Sequence, residues 1–137
     1  MLYKDMQLYR QSIESYQNAL FLLRNQPWNT IDNALIRHNL AVVFYKKDSE
    51  TYNLQQAKTH VEEALSIRQE VFPVGNISIA QSEELLARIL MEFNTESYNI
   101  QAERLLISAK KPFSDYYGKD SEDYLRLLKC LTVLQPK

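Results

Sequence analysis

Glycine is nearly missing from this chain, with two residues in 137 where average usage of about 7% would supply about ten. Folds built on tight turns and glycine-lined phosphate loops are therefore disfavoured, and an all-helical chain is expected. A single cysteine, Cys130, leaves neither a partner for an internal disulfide nor a Cys-rich zinc site. Neither sign of charge is in excess. Sixteen Lys+Arg against seventeen Asp+Glu give a formal net charge of −1, which argues against a nucleic-acid binder held by phosphate attraction. Long hydrophobic runs are missing as well, since runs such as Ala19–Leu23 and Ala41–Tyr45 fall far short of the ~18 residues that span a bilayer. No apolar signal segment follows Met1-Leu2-Tyr3-Lys4-Asp5. The expectation is a cytoplasmic protein without nucleic acid, membrane, metal or cofactor among its partners.

What is present suits one globular domain over residues 1–137: 45% of the residues are hydrophobic and 24% charged. The breakers Pro27, Pro73 with Gly75, and Gly118 are spaced like helix connectors. Leu2, Met6, Tyr9, Ile13, Tyr16, Leu20 and Leu23 alternate steps of four and three, which predicts a first helix from about Tyr3 to Arg24. Asn29 or Thr30 caps a second helix with Asp32 near its positive end, and Lys46-Lys47 suit its close near Lys47. Asp48–Asn53 reads as a loop, and Leu54, Ala57, Val61, Ala64, Arg68 and Val71 as a third helix ending before Pro73. Asn76 or Ser78 caps a fourth helix carrying Ile79, Leu86, Leu90 and Phe93. The fifth carries Ala102, Leu105, Leu106 and Ala109, with a kink or break expected near Ala109 to Pro112 because proline removes a helical hydrogen bond. A sixth follows Gly118, with Tyr124, Leu127, Leu128, Leu131 and Leu134.

These helices repeat. Ser12-Ile-Glu-Ser-Tyr-Gln-Asn-Ala19 aligns with Ala57–Ala64 and with Ala102–Ala109, at offsets of 64 − 19 = 45 and 109 − 64 = 45. The intervening helices agree, since Asn39-Leu40-Ala41 matches Leu85-Leu86-Ala87 at 87 − 41 = 46, and Lys129-Leu131-Thr132 comes next. Even the connectors echo one another, as Glu50-Thr-Tyr-Asn-Leu-Gln-Gln-Ala57 and Glu96-Ser-Tyr-Asn-Ile-Gln-Ala102 differ mainly by one glutamine. Small residues at Ala57, Ala64, Ala102 and Ala109 permit close helix approach, so each unit reads as a helix hairpin stacked on the next.

Leu40-Ala41-x-x-Phe44 with Ala57-x-x-x-Val61, and Leu86-Ala87-x-x-Leu90 with Ala102-x-x-x-Leu106, resemble the A- and B-helix signatures of the tetratricopeptide repeat. Ala64-Leu-Ser-Ile-Arg-Gln-Glu-Val-Phe72, followed by Ile79-Ala80-Gln, is similar to the long-repeat variant found in kinesin light chains. The resemblance implies an all-α, right-handed α-solenoid of about six antiparallel helices read B, A, B, A, B, A, which is also how a segment of a longer array would read. It further implies a non-enzymatic interaction module that receives a peptide or helical segment of a partner protein in a concave groove lined by A helices. By register the groove residues are Leu35, His38, Asn39, Val42, Tyr45 and Lys46, then Gln81, Leu85, Arg88, Met91 and Glu92, with Arg126, Lys129 and Val133 continuing the row. The alternative use of the same fold is structural, as a solenoid segment that self-associates or positions neighbouring domains. A two-point carboxylate clamp is not expected, because Asn39 fits one but the next A helix offers Gln81 and Leu85 where basic residues belong.

Catalytic chemistry finds little support. His38 and His60 lie on different helices without a His-x-x-His or Cys partner, and no nucleophile elbow or phosphate loop occurs. Cys130 and Trp28 are expected to pack, the tryptophan as a staple onto the second helix. The sixth helix is too apolar for a polar cap, because Leu125 and Val133 lie outside its main seam. Either self-association through a terminal helix or continuation into further repeats is the expected consequence.

Overall fold

The computed structural model of the chain describes residues 3–27, 30–46 and 52–135, and side chains from Gln7 onward. Among the described residues the fold is all-α, with six helices and no strand: α1 (Tyr3–Leu22), α2 (Ile31–Phe44), α3 (Leu54–Val71), α4 (Ile77–Phe93), α5 (Glu96–Tyr117) and α6 (Glu122–Leu134). They form two compact units, Met1–Val71 and Phe72–Lys137. No helix of the described residues is long and apolar enough to cross a membrane.

Caps set most of the boundaries. Thr30 opens α2, its side chain accepting from the Asn33 N–H at 3.1 Å, and Asn76 rather than Ser78 opens α4, accepting from the Ser78 N–H at 2.8 Å. Ser121 does the same for α6. Each satisfies one of the donors that a helix start leaves without an intrahelical partner. At the other end of α4, Asn94 turns left-handed with φ 55°, a conformation asparagine tolerates better than most residues. Thr95 then caps at once, its side chain accepting from the Tyr98 N–H. That abrupt reversal makes Glu96–Gln101 helical, so the connector predicted there by analogy with Glu50–Gln56 is the first turn and a half of α5. Helices α1 and α2 end slightly earlier than their periodicity suggests, at Leu22 and Phe44. Trp28, Asn29 and Lys47 lie outside the described residues.

In the first unit α2 packs against α3, and α1 against α2. Ala34, Ala64 and Ile67, all fully buried, form one core cluster of the α2/α3 hairpin. Small side chains at the contact let the backbones approach while Ile67 fills the adjoining space. In the second unit α4 packs against α5, and α5 against α6. Residues at equivalent repeat positions behave alike: Ala41, Ala57 and Ala64 in one unit and Ala87, Ala102 and Ala109 in the other are all 0% exposed.

The expected break near Pro112 is not there. Helix α5 runs unbroken from Glu96 to Tyr117 with Pro112 inside it, so Lys110 and Lys111 do not mark a helix end. The missing N–H and the clash with the Ser108 carbonyl cost about 3 kcal/mol. Continuing the helix places Phe113 in the core at 2% exposure and in edge contact with Tyr117. It also lets the Gln81 amide donate to the Tyr117 hydroxyl at 2.8 Å. Burial of one aromatic side chain alone is worth about 1.5–3 kcal/mol, so tertiary contacts offset the local penalty. The Lys111–Asp115 pair, at 2.7 Å, spans the same turn.

Candidate interaction surface

The α2/α3 seam fixes which α2 side chains are available. Arg37 pairs with Glu63 of α3 and donates to Asn33 Oδ1 at 2.7 Å. Phe44 stacks on His60 with centroids 5.8 Å apart. His38 also faces this seam, with its Nδ1 3.4 Å from Arg68 Nη1. A guanidinium only donates, so Nδ1 accepts and neutral His38 carries its proton on Nε2. His38 is thus engaged inside the hairpin, and its partner Arg68 is buried at 5% exposure, where removal from water lowers the guanidinium's affinity for its proton. Of the other residues in the row, Leu35 is 48% exposed, Asn39, Val42 and Tyr45 are half-buried, and Lys46 is exposed.

His60 has the least comfortable polar atom of this hairpin. Its Nδ1 is buried without a hydrogen-bond partner, and burial, then the positive charge of Arg37, hold its pKa below the ordinary histidine value against a smaller opposing pull from Glu63. The imidazole is therefore a neutral stacking group for Phe44.

In the second unit Leu85 corrects the expected groove. It is 2% exposed, an apolar side chain in the core of a helix buried over much of its circumference, and offers no surface. Gln81 is half-buried and turned toward α5 through Tyr117. Arg88 and Arg126, by contrast, are brought together by a residue the repeat reading passes over. Glu84 is 1% exposed, pairs with Arg88 one turn on, and receives two bonds from Arg126 of α6, Nη2 to Oε2 at 3.0 Å and Nε to Oε1 at 3.3 Å. Arg126 also reaches Asp123 at 3.3 Å. Burial lowers the Arg126 pKa, but the Glu84 and Asp123 contacts outweigh it and the net shift is upward. A fork-shaped guanidinium matches a carboxylate in this two-bond manner and fixes orientation as well as charge. The pair locks α6 to α4, which makes Arg88 and Arg126 structural as well as surface residues.

A sequence signal for Glu84 exists. It sits four residues before Arg88, and the 46-residue offset equates it with His38, whose partner is likewise an arginine. Neighbouring Glu83 is also buried, and removal from water raises its pKa against a smaller opposing hydrogen bond from Ser108. The outward row of this unit is Met91, half-buried, with exposed Glu92 on α4, and exposed Arg126, Lys129 and Val133 on α6.

Cys130 is half-buried between these charges. Burial, then Glu84, push its thiol up, with weaker opposing pulls from Arg88, Arg126 and Lys129. It stays a protonated packing group at neutral pH, not a thiolate nucleophile. Among the described residues no group of three His, Cys, Asp or Glu side chains is placed to hold a metal ion. The terminal residues Leu125 and Val133 are exposed by 52% and 68%.

No protein-family model matches the chain, and no curated protein matches it.

Proposed function

We propose that the chain is a tetratricopeptide-like, right-handed α-solenoid of stacked hairpins, acting without catalysis as a cytoplasmic protein–protein interaction module. The observation that supports this reading is the shared register of the two units. Residues 45 or 46 positions apart are fully buried alike in α2/α3 and in α4/α5. Repeats of this kind place equivalent faces of successive A helices on one side, and such rows bind extended or helical segments through a few anchors. The anchors in this reading are Leu35, Asn39, Val42, Tyr45 and Lys46 on α2, and Met91, Glu92, Arg126 and Lys129 on α4 and α6. An affinity near micromolar, about −8 kcal/mol, is typical for a groove with few anchors.

The test separates the rows from the fold. The triple variant Asn39→Ala, Val42→Ala, Tyr45→Ala and the double variant Met91→Ala, Lys129→Ala remove side chains that are at most half-buried. Each should keep the helical circular dichroism of the parent while losing most of the capture of a protein that the parent retains. Undiminished capture by both variants rejects the groove. The structural alternative, a segment that self-associates or spaces its neighbours, is favoured by one observation, the exposure of Leu125 and Val133 on α6. In that case the groove variants are silent and changes at Leu125 and Val133 are not.

A further inference from the structure

The repeat register tells what each helix face touches, and in two places the register leaves a face open. On the A helices one face meets the following B helix: Ala34 and Ala41 of α2, and Ala80 and Ala87 of α4, are all 0% exposed. The equivalent positions of α6 are Leu125, 52% exposed, and exposed Thr132. The opposite face of α6 is well covered, since Tyr124, Leu127 and Leu131 are buried, as are their equivalents Ile79, Ser82 and Leu86 of α4. The side that would face a following B helix is bare, beside the outward row of Arg126, Lys129 and Val133.

Helix α1 shows the complementary gap. In α3, Ala57, Val61, Ala64 and Ile67 are 0% exposed where α2 lies against them. Their equivalents in α1 are Ser12, Tyr16 and Ala19, all half-exposed, and Leu22 at 75% exposure. Ala19 and Leu22 of α1 and Leu23 just after it, with Asp32, Leu35 and Ile36 of α2, line an open cleft of about 330 Å³. An A helix seated on α1 and flanked by the next A helix would lie in this cleft, because that is the side of the small-residue seam that an A helix covers in α2/α3.

We infer that the cleft between α1 and α2 takes helix α6 of a second copy of this chain. The face of α6 with exposed Leu125 and Thr132 and half-buried Leu128 then meets the open seam of α1, and the two make between copies the hairpin contact that the chain already makes twice within itself. The occupant follows from continuity with those two interfaces: the cleft requires an A-type seam, and α6 carries one that the described residues leave uncovered. The contact is heterologous, head to tail, so each copy offers one α6 and one cleft and association does not close at a dimer. This inference rests on the repeat reading proposed above.

Sedimentation or light scattering on the full chain tests it. The weight-average mass of the parent should rise steadily above the 16.1 kDa monomer as concentration increases. A variant blocked on α6 (Leu125→Glu, Thr132→Glu) and one blocked at the cleft (Ala19→Glu, Leu22→Glu) should each be monomeric. Mixed in equal amounts they should form a species of twice the monomer mass and stop there, because each supplies the one intact half that the other lacks. Should a double variant lose helical circular dichroism, Leu125→Gln and Leu22→Gln, at positions at least half exposed, carry the same readout. A monomeric parent, an association that survives in either blocked variant, or a mixture that stays monomeric overturns the inference. The Asn39, Val42, Tyr45 groove variant should associate like the parent. A parent that stays monomeric while it captures its partner therefore rejects the docking and leaves the groove standing.

Discussion

His60 shows how one side chain carries both packing and chemistry. Its ring stacks on Phe44 while Nδ1 stays buried without a partner, and the charged groups of the described residues that act on it are Arg37 of α2 and Glu63 of its own helix. Protonation would place a cation in a poorly hydrated seam beside Arg37. Because its folded pKa lies below the ordinary value of 6.5, the unfolded chain takes up the proton first as pH falls. The stability this histidine supports is therefore complete above about pH 6.5 and lost progressively as pH drops through the folded value. Replacing it by phenylalanine keeps the stack and removes the titration. The stability of His60→Phe relative to the parent, from urea melts between pH 7.5 and 5.5, should rise as pH falls, and a pH-independent difference would contradict the assignment. The sequence placed His60 on the third helix but gave no sign of its ring partner, which depends on two helices meeting.

At the scale of the element, α5 is the instructive case. Local propensity argues for an interruption at Pro112, and the helix continues because Phe113 and Tyr117 gain more from burial and hydrogen bonding than the proline costs. The residual penalty should still be present. Pro112→Ala restores the hydrogen bond to the Ser108 carbonyl, and in the 45-residue register the same place in α3 is the ordinary helical residue Ile67. An increase in unfolding free energy of about 1–3 kcal/mol is expected by chemical denaturation. No change would mean that the turn around Ser108 has relaxed enough to make the lost bond harmless. Helix periodicity found all six elements, and capping chemistry located the starts of α2 and α4. It missed the early start of α5, because the left-handed turn at Asn94 is permitted by asparagine but not required by it. The Glu84 bridge escaped for another reason: the register marks both arginines as surface residues, and only the approach of α6 to α4 turns them onto one carboxylate.

Across the whole chain, the repeat makes a quantitative demand. Ala64 and Ala109 are equivalent, and both are 0% exposed in their separate units. Substituting either by leucine forces an isobutyl group into a close helix contact, which typically costs about 1–3 kcal/mol. The two variants, measured by thermal or chemical denaturation, should lose stability by similar amounts. A large cost at one site and none at the other would mean that the 45-residue repeat is an accident of spelling.

The sequence by itself determined the helical class, the six segments and the register of small residues, because those follow from periodicity, capping groups and the near absence of glycine, all of them local quantities. Tertiary structure alone decided which polar side chains were consumed by the fold. His38 turned to Arg68, Gln81 to Tyr117, and Arg126 to Glu84, while Leu85 went into the core. It also carried α5 through its proline. In each instance the outcome is set by a neighbour 30 or more residues away, or by the burial of a surface that no single helix can bury alone, and a one-dimensional pattern holds no record of that energy.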